Sequence, residues 1–170
     1  FRNFLALIVF APLILHSGLA KIKTQKIKIH GFRALIGLSA MGAWFYSVTL
    51  LPLSEAVALS FTAPLFGTAI AILFLKEKAS WLRLSALRFG FVGTLVILRP
   101  GIQIIHYASF ITLGASFLMA VSAITVKTLS KTEDPKAIVF YFTLIATPLS
   151  LFIALPNFII PSTTQFIWLA

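Results

Sequence analysis

The sequence predicts an all-α, polytopic transmembrane helix bundle, and three observations carry that prediction. The 170 residues are 59% hydrophobic and only 11% charged, with a mean hydropathy of +1.02, whereas ordinary globular domains carry about 25% charged residues. The apolar residues gather into six runs, 3–17, 34–51, 54–75, 82–98, 107–129 and 137–155, and roughly 20 helical residues cross a hydrocarbon core of about 30 Å. The charges fall in the short segments between the runs, so membrane topology explains the net +10 better than nucleic acid does. The chain has no cysteine, which excludes a disulfide framework and thiolate chemistry.

Taken in order, the first run is short because the chain opens inside it. Phe1-Arg2-Asn3 lacks an initiator Met, no signal-peptide cleavage site follows, and a fresh apolar run begins at 165–170. Both ends therefore read as cut edges of a longer protein. Lys21 to His30, KIKTQKIKIH, reads as a topology-setting loop in preference to a strip for anionic lipid head groups. In run 34–51, Ser39, Gly42, Tyr46 and Thr49 share one helix face. With Trp44 beside them, that face is expected to line a wet cavity. Run 54–75 carries Pro64 near its middle, which frees the Ser60 carbonyl and kinks the span. The kink serves either as a cavity wall or gate, with Phe61, Thr62 and Thr68 as lining, or as a tolerated proline helped by Ser60 and Thr62.

Glu55 after Ser54 reads as a helix start before it reads as a proton-coupling group. Glu77 between Lys76 and Lys78 reads as an interfacial ion pair before a gate. Arg88, about two turns into run 82–98, is expected to snorkel to the cytoplasmic face in preference to meeting an anionic substrate. Ser109, Thr112 and Ser116 share a face of run 107–129, where packing is preferred to cavity lining. Glu133 and Asp134 read as a solvated turn before Pro135.

Loop charges give the topology. Lys21, Lys23, Lys26, Lys28 and Arg33, then Lys76, Lys78 and Arg83, then Lys127, Lys131 and Lys136 lie in alternate connections, against Arg99 alone in the others. Basic loops stay in the cytoplasm, so the first run travels inward and successive runs alternate. The small pairs Ser39/Ala43, Gly67/Ala71 and Ser116/Ala120, with Gly90 and Gly93, permit close helix approach. FLALIVFAPLIL around Pro12 echoes FYFTLIATPLSL around Pro148. If the two correspond, copies lie five spans apart and in opposite orientation, an inverted repeat.

Enzyme signatures are absent: the three histidines, His16, His30 and His106, are scattered, and there is no phosphate-binding glycine loop or GxSxG elbow. The run Leu51-Pro52-Leu53-Ser54-Glu55-Ala56, through Phe61-Thr62-Ala63-Pro64-Leu65, to Phe74-Leu75-Lys76-Glu77-Lys78 resembles the EamA-type drug/metabolite transporters. So do Gly90-Phe91-Val92-Gly93-Thr94-Leu95 and Leu98-Arg99-Pro100-Gly101, which resemble the end of that family's first repeat, and Arg2, which resembles the opening of its second helix. Arg88 departs from the pattern, where an apolar residue is usual. The resemblance implies ten helices in two inverted five-helix repeats, of which this chain holds helices two to seven. Residues 1–101 would be the first repeat without its first helix, and 102–170 the truncated start of the second. It further implies alternating-access transport of an amino acid, nucleotide-type metabolite or drug in a bacterial inner membrane. Cavity candidates are Trp44, Tyr46, Thr49, Phe61, Thr62, Pro64 and Ser116, with Glu55 and Glu77 as coupling or gating candidates. No cofactor, metal or nucleic acid is expected. The expected partners are a small-molecule substrate and the bilayer, with a homodimer left open. The alternative is a non-transporting scaffold or inactive remnant.

Overall fold

The computed structural model describes residues 3, 5–9, 12, 24–76, 80–98 and 106–155. These residues contain no strand. Besides the helical residues 5–9, six helices follow in order: α1 (Ile27–Val48), α2 (Leu53–Ser60), α3 (Ala63–Leu75), α4 (Trp81–Leu98), α5 (Tyr107–Leu129) and α6 (Pro135–Ala154). Three helical stretches among the described residues are long and apolar enough to cross a membrane: Leu53–Leu75, Tyr107–Leu129 and Pro135–Ala154. The chain is an all-α polytopic bundle.

The helix ends have local causes. α5 occupies the run expected of it, but α1 starts well before its apolar run. Thr24 Oγ1 accepts the Lys26 N–H at 2.9 Å, and the Lys26 carbonyl accepts from Ile29 and His30. The KIKTQKIKIH segment is thus helical from Ile27, not a loop throughout. α6 starts at Pro135, whose missing N–H costs nothing in a first turn, and Asp134 caps it by accepting the Lys136 N–H at 2.8 Å. Ser54 caps nothing: Pro52 holds the cap position of α2, without a side-chain bond, and Glu55 lies in the first turn. α3 stops where Lys76 turns left-handed, with φ 53°, and donates its N–H to Ala71.

Run 54–75 is two helices, parted at Phe61 and Thr62. Pro64 has no N–H to give Ser60, yet it is well suited to a first helical turn. α2 ends and α3 restarts with Pro64 in its first turn, while Phe61 and Thr62 between them keep right-handed helical backbone angles. Phe61 and Thr62 tighten the end of α2, donating to Ala58 and Leu59 at 3.2 and 3.0 Å.

The described chain forms two compact units, Phe1–Leu35 with Val126–Ala170, and Ile36–Thr125. In the first, Ala137 packs against Phe140 and Tyr141, and Asn3 Nδ2 donates to Ser150 Oγ at 3.4 Å. In the second, Leu51, Leu59 and Ala108 form a cluster with Leu50 and Leu113, and α4 lies against α2 and α3. Phe66 of α3 meets Phe117 of α5 edge-on at 5.6 Å, and a Cβ on Gly67 would rest 3.9 Å from that of Ala120.

Size sorts these helices inside out relative to a soluble protein. Among the described residues, ten of the fourteen buried hydrophobic ones are alanines, while Leu73, Phe74, Leu82, Phe89, Phe152 and Ile153 stand exposed. Lipid tails reward no burial of Leu or Phe, so close backbone approach, which alanine allows, decides what goes inside. Gly90 and Gly93 depart from the close-approach expectation. A Cβ on either meets nothing within 4 Å, and both border a cleft. Arg88 sits over the Trp81 ring at 5.4 Å, seven residues back toward the basic end of α4, the direction expected for snorkelling.

Candidate functional site, the helix break

A break inside a membrane span exposes backbone carbonyls to hydrocarbon, where each unsatisfied polar group costs several kcal/mol. Hydroxyl side chains gather on the last turn of α2. Thr62, 5% exposed, donates its hydroxyl to the Leu59 carbonyl at 2.6 Å, the same carbonyl that takes the Thr62 N–H. Ser60 Oγ donates to the Ala56 carbonyl at 2.8 Å and accepts the indole N–H of Trp44 from α1 at 2.8 Å. With the Ser60 proton engaged by Ala56, Trp44 acts as the donor and Ser60 as its acceptor. From α5, the fully buried Ser116 donates to Thr112 at 2.9 Å, with the Leu59 carbonyl 3.4 Å away. Below the break, Thr68 Oγ1 returns to the Pro64 carbonyl at 2.9 Å.

On the other side of the break lies an open cleft of ≈ 340 Å³. Phe61, Pro64 and Leu65 form one wall, and Ala86, Leu87, Gly90 and Gly93 of α4 form the other. The missing glycine side chains give the cleft its width. Its lining is neutral and largely apolar, suited to shape and ring contact.

The structure brings together Trp44, Thr62 and Ser116 around the break, with Phe61, 63% exposed, and Pro64 at the cleft edge. It sets Tyr46 and Thr49 apart from them. Ser39, Gly42, Tyr46 and Thr49 all stand exposed on one face of α1, Tyr46 at 54%. Trp44 belongs to the opposite, inner face with Ala40 and Ser47. Glu55 is half-buried in the first turn of α2, and Glu77 lies outside the described residues. Beyond helping the proline, Ser60 is the acceptor for Trp44, a contact sixteen residues apart that no local pattern marks.

A bundle of apolar helices packed through alanine, with a discontinuous span stapled by hydroxyl groups, defines a multi-pass membrane protein. The EamA-like transporter family matches residues 1–99, and the chain belongs to that family. It is 32% identical to a riboflavin transporter of Vibrio cholerae, over 97% of this chain and 56% of that protein. It is 28% identical to an S-adenosylmethionine uptake transporter of Rickettsia prowazekii, again over 97% and 56%. A pseudopaline exporter of Pseudomonas aeruginosa is 25% identical over 97% of this chain and 58% of its own length. The chain thus spans little more than half the length of these relatives. No solved structure matches it.

Proposed function

We propose that the full-length protein moves a small organic metabolite across a bacterial inner membrane by alternating access. The observation that carries this reading is the stapled break between α2 and α3 beside a neutral cleft, in a chain of a transporter family. Discontinuous helices are where transporters of several folds bind and release substrate. Residues 1–101 and 102–170 are read as the larger part of one repeat and the start of an inverted second, a reading supported by the family match ending at residue 99. Phe61 and Pro64 are read as the substrate side of the break, with Trp44, Thr62 and Ser116 holding it from behind. Tyr46 and Thr49, on the exposed face of α1 and apart from the break, are read as lining a separate part of the path. The names of the relatives support a substrate class of small organic metabolites, and riboflavin and S-adenosylmethionine are the first compounds to test.

The test is flux. Full-length protein in proteoliposomes should accumulate or release at least one labelled compound from a panel built on those chemistries, above protein-free vesicles and with saturation. No saturable flux of any panel member, in either direction and under proton or sodium gradients, would contradict transport and favour a non-transporting scaffold.

A further inference from the structure

The first unit holds a polar cluster that the helix break does not use. His30, in the amino-terminal turns of α1 ahead of its apolar run, is only 1% exposed. Among the described residues, neither ring nitrogen has a hydrogen-bond partner. Nε2 lies 3.7 Å from Glu133 Oε2, beyond hydrogen-bond reach, and the ring lies 4.7 Å from that of Tyr141. Glu133 is far from a solvated turn residue. Its side chain is 10% exposed, and its Oε1 accepts the Thr24 hydroxyl at 2.8 Å. Lys26 Nζ donates to Thr132 Oγ1 at 2.7 Å, and Arg33 Nη1 to the Ile138 carbonyl at 3.3 Å. These bonds fasten the start of α1 to the α5–α6 connection and the first turn of α6.

We propose that His30 and Glu133 form a proton-binding site at this contact, and that proton uptake there releases the start of α1 from residues 129–138. The geometry gives the sign. An imidazolium carries two N–H donors where neutral imidazole carries one. Among the described residues only Nε2 has an acceptor near it, and that carboxylate already serves Thr24. Nδ1 has none, so a proton bound in the packed state buries an N–H without a partner. Among the described residues, the charged and titratable groups facing His30 are Glu133 from the connection, Tyr141 of α6 and Arg33 of its own helix. Arg33 repels the new charge, and Glu133 alone attracts it.

Burial pushes His30 below the ordinary histidine value of 6.5, against the pull of Glu133, and Arg33 adds to the lowering. An opened contact returns the ring to water and to that ordinary value. The packed state therefore binds fewer protons than the open one. The contact is at full strength above about pH 6.5 and weakens as pH falls through the lowered value. A fully enclosed imidazole can take a proton without a cavity, and no larger ligand is needed to work the latch.

Hydrogen–deuterium exchange of the full-length protein in lipid nanodiscs tests this without substrate, so its outcome is independent of whether transport is found. Rates are normalised to intrinsic exchange at each pH and read in peptides covering 24–34 and 129–138. Between about pH 7.5 and about pH 5.5 both should lose protection about fivefold. In His30→Gln the loss should vanish. In Glu133→Gln, which removes the one attractive charge, it should be at least as large as in the wild type. Protection that is flat or rises on acidification in the wild type overturns the proposal. So does the same loss in His30→Gln, or its abolition in Glu133→Gln.

Discussion

Pro64→Ala in the full-length protein should fold to wild-type levels and lower metabolite flux about tenfold or more. Alanine restores the N–H that residue 64 withholds, and its acceptor is the Ser60 carbonyl, which α2 otherwise leaves exposed at its end. Alanine is also the best helix former, and a continuous helix satisfies its own backbone in hydrocarbon. Residues 53–75 should then relax toward one unbroken helix. That is expected to turn Phe61 away from the cleft it borders. A bias of about 1.4 kcal/mol toward the continuous form leaves about a tenth of the broken form. Stability should hold or rise while flux falls. A loss of flux with a matching loss of folded protein would assign Pro64 a structural role only.

Trp44→Ala should be the costlier change for stability, by about 2–3 kcal/mol in detergent-induced unfolding of the same protein. In a bilayer most of the usual transfer term is absent, so the cost is lost packing and the lost bond to Ser60. The conservative changes separate the two parts. Trp44→Phe keeps most of the packing and leaves Ser60 its donor bond to Ala56, so it should cost about 1 kcal/mol. Ser60→Ala strands the indole N–H and should cost more than Trp44→Phe. The double variant should cost little more than Ser60→Ala alone. Additive losses would show that the 2.8 Å contact carries no energy.

Most of the helix plan was legible in the sequence because a membrane imposes it. Apolar length reported 107–129 without error, and Pro64 announced a distortion in 54–75. The size of that distortion was less legible. Whether a mid-span proline kinks or divides a helix depends on what neighbouring helices supply, here Trp44 and Ser116. Periodicity placed Tyr46 and Thr49 together on one face, but it could not tell an inner face from an outer one. In α1 the alanines marked the inner face, and the polar stripe lies opposite. His30 was hidden for a related reason. Its partner is 103 residues away, and a basic segment reads as solvated loop unless the helix is carried back beyond the apolar run to Ile27. The inner-face spacing of His30, Ala34, Ala40 and Ser47 was the signal available.

Substrate passing the break between α2 and α3 meets Phe61 at the cleft edge, and a thiol placed there reports it. The chain has no cysteine of its own, so Phe61→Cys in the full-length protein, with any cysteine outside this chain replaced, gives one reporter thiol. Its rate of modification by a membrane-impermeant maleimide is measured with and without the metabolite that shows saturable flux. With that metabolite at about four times its half-saturating concentration, labelling should slow about fivefold, as site occupancy requires. An unchanged rate, in protein that still carries the metabolite, would place the path elsewhere and contradict this account of the break.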